Sequence, residues 1–92
     1  MTKEIFDEIL ETLNEESDGL ADYLEISYDE MDELEIGLWY EAVTGEKMEL
    51  GEKEDMHQEL LEAVYELEES DIGQLVKLVK KAKTRFAKVY GW

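Results

Sequence analysis

The chain has no cysteine and no proline among its 92 residues. The first absence excludes disulfides and zinc–thiolate sites. The second means that no helix has to kink or stop at a missing amide. Glycine is sparse and scattered, at positions 19, 37, 45, 51, 73 and 91, which leaves no linker and no low-complexity tract. No apolar run approaches the ~18–20 residues that span a bilayer. The amino-terminal Met1-Thr2-Lys3-Glu4-Ile5-Phe6-Asp7-Glu8 has neither the cationic nor the apolar region of a secretory signal. A cytoplasmic location is the expectation. Bases are scarce as well: Lys3 is the only one before Lys47.

What is abundant is acid. Asp and Glu number 26 against nine Lys and Arg, a net charge of −17. Such a chain is repelled by phosphate backbones and anionic lipid, so no direct nucleic acid and no membrane is expected among its partners. Basic proteins or cations are its natural partners, although high negative charge also simply keeps a protein in solution. At 43% apolar residues the chain is expected to fold despite 38% charge. Its length fits a single acidic helical domain, 1–92, burying roughly 60–70% of its unfolded surface. That is one modest core, with little room for a deep cleft.

The apolar residues keep helical period. Ile5, Phe6, Ile9, Leu10 and Leu13 form one stripe, with Thr2 placed to cap it. Leu20, Ala21, Tyr23, Leu24 and Ile26 form a short second segment. Ser27-Tyr28-Asp29-Glu30 reads as a capping box, which predicts a helix from Tyr28 to Thr44 with Gly45 as its C-cap. The alternative there is a small β-hairpin within 36–50, pairing Ile36–Val43 with Glu46–Leu50. Met56, Leu60, Leu61, Val64 and Leu67 mark a further helix. From Ile72 to Tyr90, after Ser70 or Asp71, the period holds for five turns. The fold class expected is all-α: a bundle of four to five short helices with the last as its spine.

The charge is segregated. Residues 1–71 hold all 26 acids and three lysines, a net −23, whereas 72–92 hold six bases and no acid. The basic amphipathic C-terminal helix, 72–90, either lies beside acidic neighbours of its own chain or meets an acidic face of a second copy, as a homodimer.

Little here suits catalysis, and the expectation is a protein that is not an enzyme. There is one histidine, His57, with three serines and no thiol, and no nucleotide-binding or nucleophile-elbow pattern occurs. Carboxylate pairs are too common for any one to stand out as an acid/base couple. The acid-rich stretches miss the oxygen register of a calcium loop. Glu54-Asp55-Met56-His57 places Glu and His at i, i+3, and Glu33 precedes Tyr40 by seven residues, next to Trp39. These spacings resemble the iron-binding helices of ferritin-like proteins, the short encapsulated ferritins among them. The resemblance implies a metal site of Glu33, Glu54 and His57 completed between two subunits. It is the minor alternative to an expectation of no metal and no cofactor.

The most suggestive pattern is a ladder of carboxylates in steps of four and three: Glu4, Glu8, Glu11, Glu15, Asp18, Asp22, Glu25, Asp29 and Asp32. On a helix this lines one face with a charge every ~5 Å. Like charges at i, i+4 cost a few tenths of a kcal/mol per pair, and no lysine is interspersed to relieve them. Two or three such helices side by side approach the charge density of a duplex, about one per 1.7 Å of axis. In composition the chain resembles the small acidic DNA-mimic inhibitors that phages and mobile elements direct against restriction or CRISPR nucleases. The resemblance implies a partner that is a basic, nucleic-acid-binding protein or nuclease, held by the carboxylates. Tyr23, Tyr28 and Tyr40 would be the anchors, Tyr65 lying among carboxylates too. Phe6, Trp39 and Phe86 fall on apolar stripes and are expected in the core. A generic helical adaptor, acidic only for solubility, is the alternative reading.

Overall fold

Helix starts are fixed by oxygens that accept otherwise orphaned amides. In a computed structural model, which describes residues 1–15, 19–49 and 51–92, five α-helices and one 3₁₀ turn follow one another. They are α1 (Lys3–Glu15), α2 (Gly19–Ile26), the 3₁₀ turn Tyr28–Glu30, α3 (Glu33–Thr44), α4 (Lys53–Ser70) and α5 (Ile72–Tyr90). Among the described residues there is no strand. Thr2 Oγ1 accepts from the Ile5 amide at 3.2 Å. Asp32 accepts from Glu35 at 2.8 Å and Asp71 from Gln74 at 3.1 Å. Each satisfies a donor that the first turn leaves free.

The capping box at Ser27 does not form. The Ser27 hydroxyl donates backwards to the Tyr23 carbonyl at 2.6 Å and closes α2 instead. The chain then makes the 3₁₀ turn, extends at Met31 (φ −80°, ψ 140°) and starts α3 at Glu33. Asp32 is the better cap because its extended backbone (φ −101°, ψ 174°) aims the carboxylate along the helix axis. Asp32→Ala should therefore lower stability by about 1 kcal/mol, while Ser27→Ala should have the smaller effect. Paired thermal melts check this, and the reverse order would contradict the assignment.

The hairpin alternative within 36–50 is also corrected: residues 36–44 are helical, and Leu50 lies outside the described residues. Gly45 ends α3 in the left-handed conformation (φ 77°), its amide bonded to the Glu41 carbonyl at 2.8 Å. A side chain is strained there, and glycine is not.

The last helix shares the centre of the bundle with α4. α5 packs on α1, α3 and α4, and α4 packs on α2, α3 and α5, with α3 against α4 the most extensive of these contacts, while α2 joins α1 to α4. Gly19 lets α2 approach α1 closely, since a Cβ there would sit 2.6 Å from Thr12 Cγ2. The core is one cluster centred on aromatic rings. Phe6 stacks on Trp39 at 5.6 Å and meets Phe86 at 5.3 Å; Trp39 and Phe86 lie 4.7 Å apart. All three are fully buried, as the stripes predicted. Trp92 folds back over Phe6, edge-on at 5.4 Å. This cluster fixes α1, α3 and α5 against one another, and so fixes the outer faces they present. Among the described residues no helix is long and apolar enough to cross a membrane.

Candidate binding surface

Burial on one side of each helix dictates what the other side shows. On α1 the buried Phe6, Ile9 and Leu13 leave Glu4, Glu8, Glu11 and Glu15 on the opposite face, all exposed. The predicted ladder is sound over this helix, but it does not continue as one straight row. Asp18 lies outside the described residues. Asp22 and Glu25 are exposed on α2, Asp29 sits on the 3₁₀ turn, and Asp32 is occupied as the cap of α3. Each turn of the chain redirects the row, because a three-and-four spacing keeps one face only while the helix is unbroken.

A longer row lies elsewhere. Glu52, Asp55, Glu59, Glu62, Glu66 and Glu69 repeat the three-and-four step, every one exposed, opposite the buried Met56, Leu60 and Val64 of α4. α4 is unbroken over 18 residues, with Glu52 as its N-cap, so the five carboxylates from Asp55 to Glu69 span about 21 Å at 1.5 Å per residue. Among the described residues none of the carboxylates in the α1 and α4 rows joins an ion pair. The signal was present in the sequence as the same spacing. Glu54 and Glu68, which lie outside the three-and-four step, obscure it there.

α2 links the two rows. The Ala21 amide donates to Glu68 Oε1 of α4 at 3.2 Å, and the Tyr65 hydroxyl donates to Glu25. The acids of α2 and α4 are thereby held in a fixed relation.

Of the tyrosines expected as anchors, Tyr23 and Tyr28 make contacts within the chain. Tyr23 is half-buried, its ring against Trp39 and its hydroxyl donating to Glu35 at 3.3 Å. Tyr28 packs on His57 at 4.6 Å and receives Lys53 over its face at 4.5 Å. Both are engaged within the chain. Tyr40 lines a shallow depression of about 380 Å³ with Glu46, Asp55 and Glu59, and so stays next to the α4 row. Tyr65 is exposed on α4 itself.

Glu35 is the charged residue that sequence pattern does not reveal. It is buried, with the Met1 amine 3.6 Å away and the Tyr23 hydroxyl as a donor. Burial raises its carboxyl above the usual range, opposed by that amine. Burial and the nearby Glu35 charge in turn push both Tyr23 and Tyr90 up to about 12. Unfolded phenols ionise near 10, so the folded chain binds more protons above that pH. The stability these two tyrosines contribute is complete below pH ~10 and is lost as pH rises towards their folded values. Phenolate absorbance should show a late phase, coincident with loss of helix by circular dichroism. Tyr23→Phe with Tyr90→Phe should remove that phase.

Within one chain the alternative metal set does not converge. His57 is buried and its Nε2 lies 2.8 Å from the Leu24 carbonyl, so that nitrogen carries the proton and donates. Glu33 and Glu54 are exposed on different helices, and among the described residues no group of three or more His, Asp or Glu is placed to hold a metal ion.

Two of the six bases of α5 meet acidic neighbours of their own chain. Lys83 pairs with Asp7 of α1 at 3.1 Å and Arg85 with Glu41 of α3 at 2.6 Å. Lys77, Lys80, Lys81 and Lys88 are exposed.

Comparison of the chain with protein-family models, with curated proteins and with solved structures found no match.

Proposed function

We propose that this is a binding protein whose outward carboxylate rows occupy the basic nucleic-acid-binding surface of a partner protein, as a DNA mimic and inhibitor would. The observation that carries the reading is the α4 row: five exposed carboxylates, Asp55 to Glu69, on one unbroken helix that Glu52 precedes as N-cap, with no cation on their face. Like charges three and four residues apart oppose the helix by a few tenths of a kcal/mol per pair. A sequence selected for stability alone would alternate them with lysine. One charge per ~5 Å compares with about 3.4 Å along a single DNA strand, and the α1 row adds to it. Long-range attraction would make association fast and sensitive to salt.

Phage or mobile-element anti-defence is the setting that the resemblance in composition suggests, and the cytoplasm is where such a target acts. The test is capture of partners from host lysate on the tagged protein, eluted in parallel by rising salt and by duplex DNA. A retained nucleic-acid-binding protein that DNA displaces supports the reading and names the target. Partners indifferent to both salt and DNA would leave the acidity to solubility, and the adaptor reading would take its place.

A further inference from the structure

Gly37 has no use within the chain. It lies in the middle of α3, where glycine costs about 1 kcal/mol relative to alanine. Its φ is not positive, and a Cβ built on it meets nothing within 4 Å. No turn and no internal close approach requires it. The missing side chain opens onto a groove of about 440 Å³ between α3 and the segment of Lys47 and Met48 with Met56 of α4, closed at one end by Arg85 of α5; its apolar lining includes Leu34, Leu38 and Met56. The groove continues past Leu38 and Arg85 into a second depression of about 230 Å³, floored by Ala42, Leu78 and Ala82. Leu34, one turn before Leu38 on the same face, is 54% exposed. An apolar residue left open beside a helical glycine is what a second helix would cover, because backbones approach closely only where side chains are small.

We infer that this groove is the two-fold interface of a homodimer, with α3 of one copy crossing α3 of the other at Gly37. The occupant is fixed by charge. An isologous contact must be self-complementary. The acidic outer faces of α1 and α4 repel a second copy of themselves, whereas the groove's rim carries both signs: Glu33 and Glu41 on α3, Lys81 and Arg85 on α5. In an antiparallel crossing at Gly37, the position four before it lies opposite the position four after it. Glu33 of each copy then faces the Glu41–Arg85 pair of the other, and a guanidinium has donors enough for two carboxylates. The α1 and α4 rows are left free, so the interface does not depend on what those rows bind.

Light-scattering mass of the full chain over a range of concentrations tests this. The expected result is twice the chain mass, falling to one chain mass on dilution. Gly37→Gln should give the monomer mass at every concentration while raising the melting temperature of that monomer, since Gln favours helix and its Cβ has space. Leu34→Asp should also give the monomer. Wild-type chain that stays monomeric throughout overturns the proposal. So does a dimer that both variants leave intact, which would place the contact elsewhere. A ladder of larger species would overturn it as well, because a head-to-tail contact does not close.

Discussion

Replacing Glu59, Glu62 and Glu66 together by glutamine is expected to weaken partner binding by of order 100–1,000-fold, at about 1.5 kcal/mol or less for each paired carboxylate. All three point away from the core, so the fold survives. The helix should even gain: the triple change removes the like-charge pairs with Asp55 and Glu69 and those among the three, each worth a few tenths of a kcal/mol. Lower affinity with equal or higher thermal stability is the signature of charge kept for binding rather than for folding. The matching set on α1, Glu8→Gln, Glu11→Gln and Glu15→Gln, reports that row separately. If both sets bind as wild type does, neither row touches the partner.

The largest effect on stability is expected at Phe86. It is fully buried and touches Phe6, Trp39, Tyr90 and Trp92, so its ring joins α5 to both α1 and α3. Phe86→Ala should cost about 3–5 kcal/mol, the lost transfer energy plus the cavity left behind. Total stability for a domain of this size is about 5–15 kcal/mol, so roughly a fifth of it at the least goes. At roughly 4–8 °C per kcal/mol the melting temperature should fall by on the order of 15–30 °C. A drop of only a few degrees would mean that the aromatic cluster can collapse around the gap and does not hold the three helices in place.

Much of this architecture was legible in the sequence because helical period and burial are the same fact seen twice. Phe6, Ile9 and Leu13, or Leu75, Val79, Ala82 and Phe86, could only pack inward from a helix, and they do. Gly45 and Asp71 were readable as helix ends because each supplies a specific backbone or side-chain geometry. The start of α3 is ambiguous in the sequence because two capping signals compete within six residues. Ser27-x-x-Glu30 and Asp32-x-x-Glu35 have the same form, and only the backward bond from Ser27 to Tyr23 decides between them.

The binding surface was half legible. Spacing along α1 identifies an acidic face, but across helix breaks spacing loses its meaning, and the longer row lies on the unbroken α4. Glu35 was invisible for a different reason. Among 26 acids, nothing in the sequence marks the one that a tertiary contact with Tyr23 and the Met1 amine draws inside. Likewise Tyr23 and Tyr28 looked like surface anchors because carboxylates flank them in sequence, while their rings turn to Trp39 and His57 in space.

The most direct measurement is a competition titration on the isolated partner: labelled duplex DNA is bound first, and this protein is then added at several salt concentrations. Complete displacement of the DNA, with an affinity that falls steeply as salt rises and an α4 triple-glutamine variant that fails to displace, is the predicted result. A ternary complex in which DNA and this protein are held at once would contradict the claim that the carboxylate rows stand in for a nucleic acid.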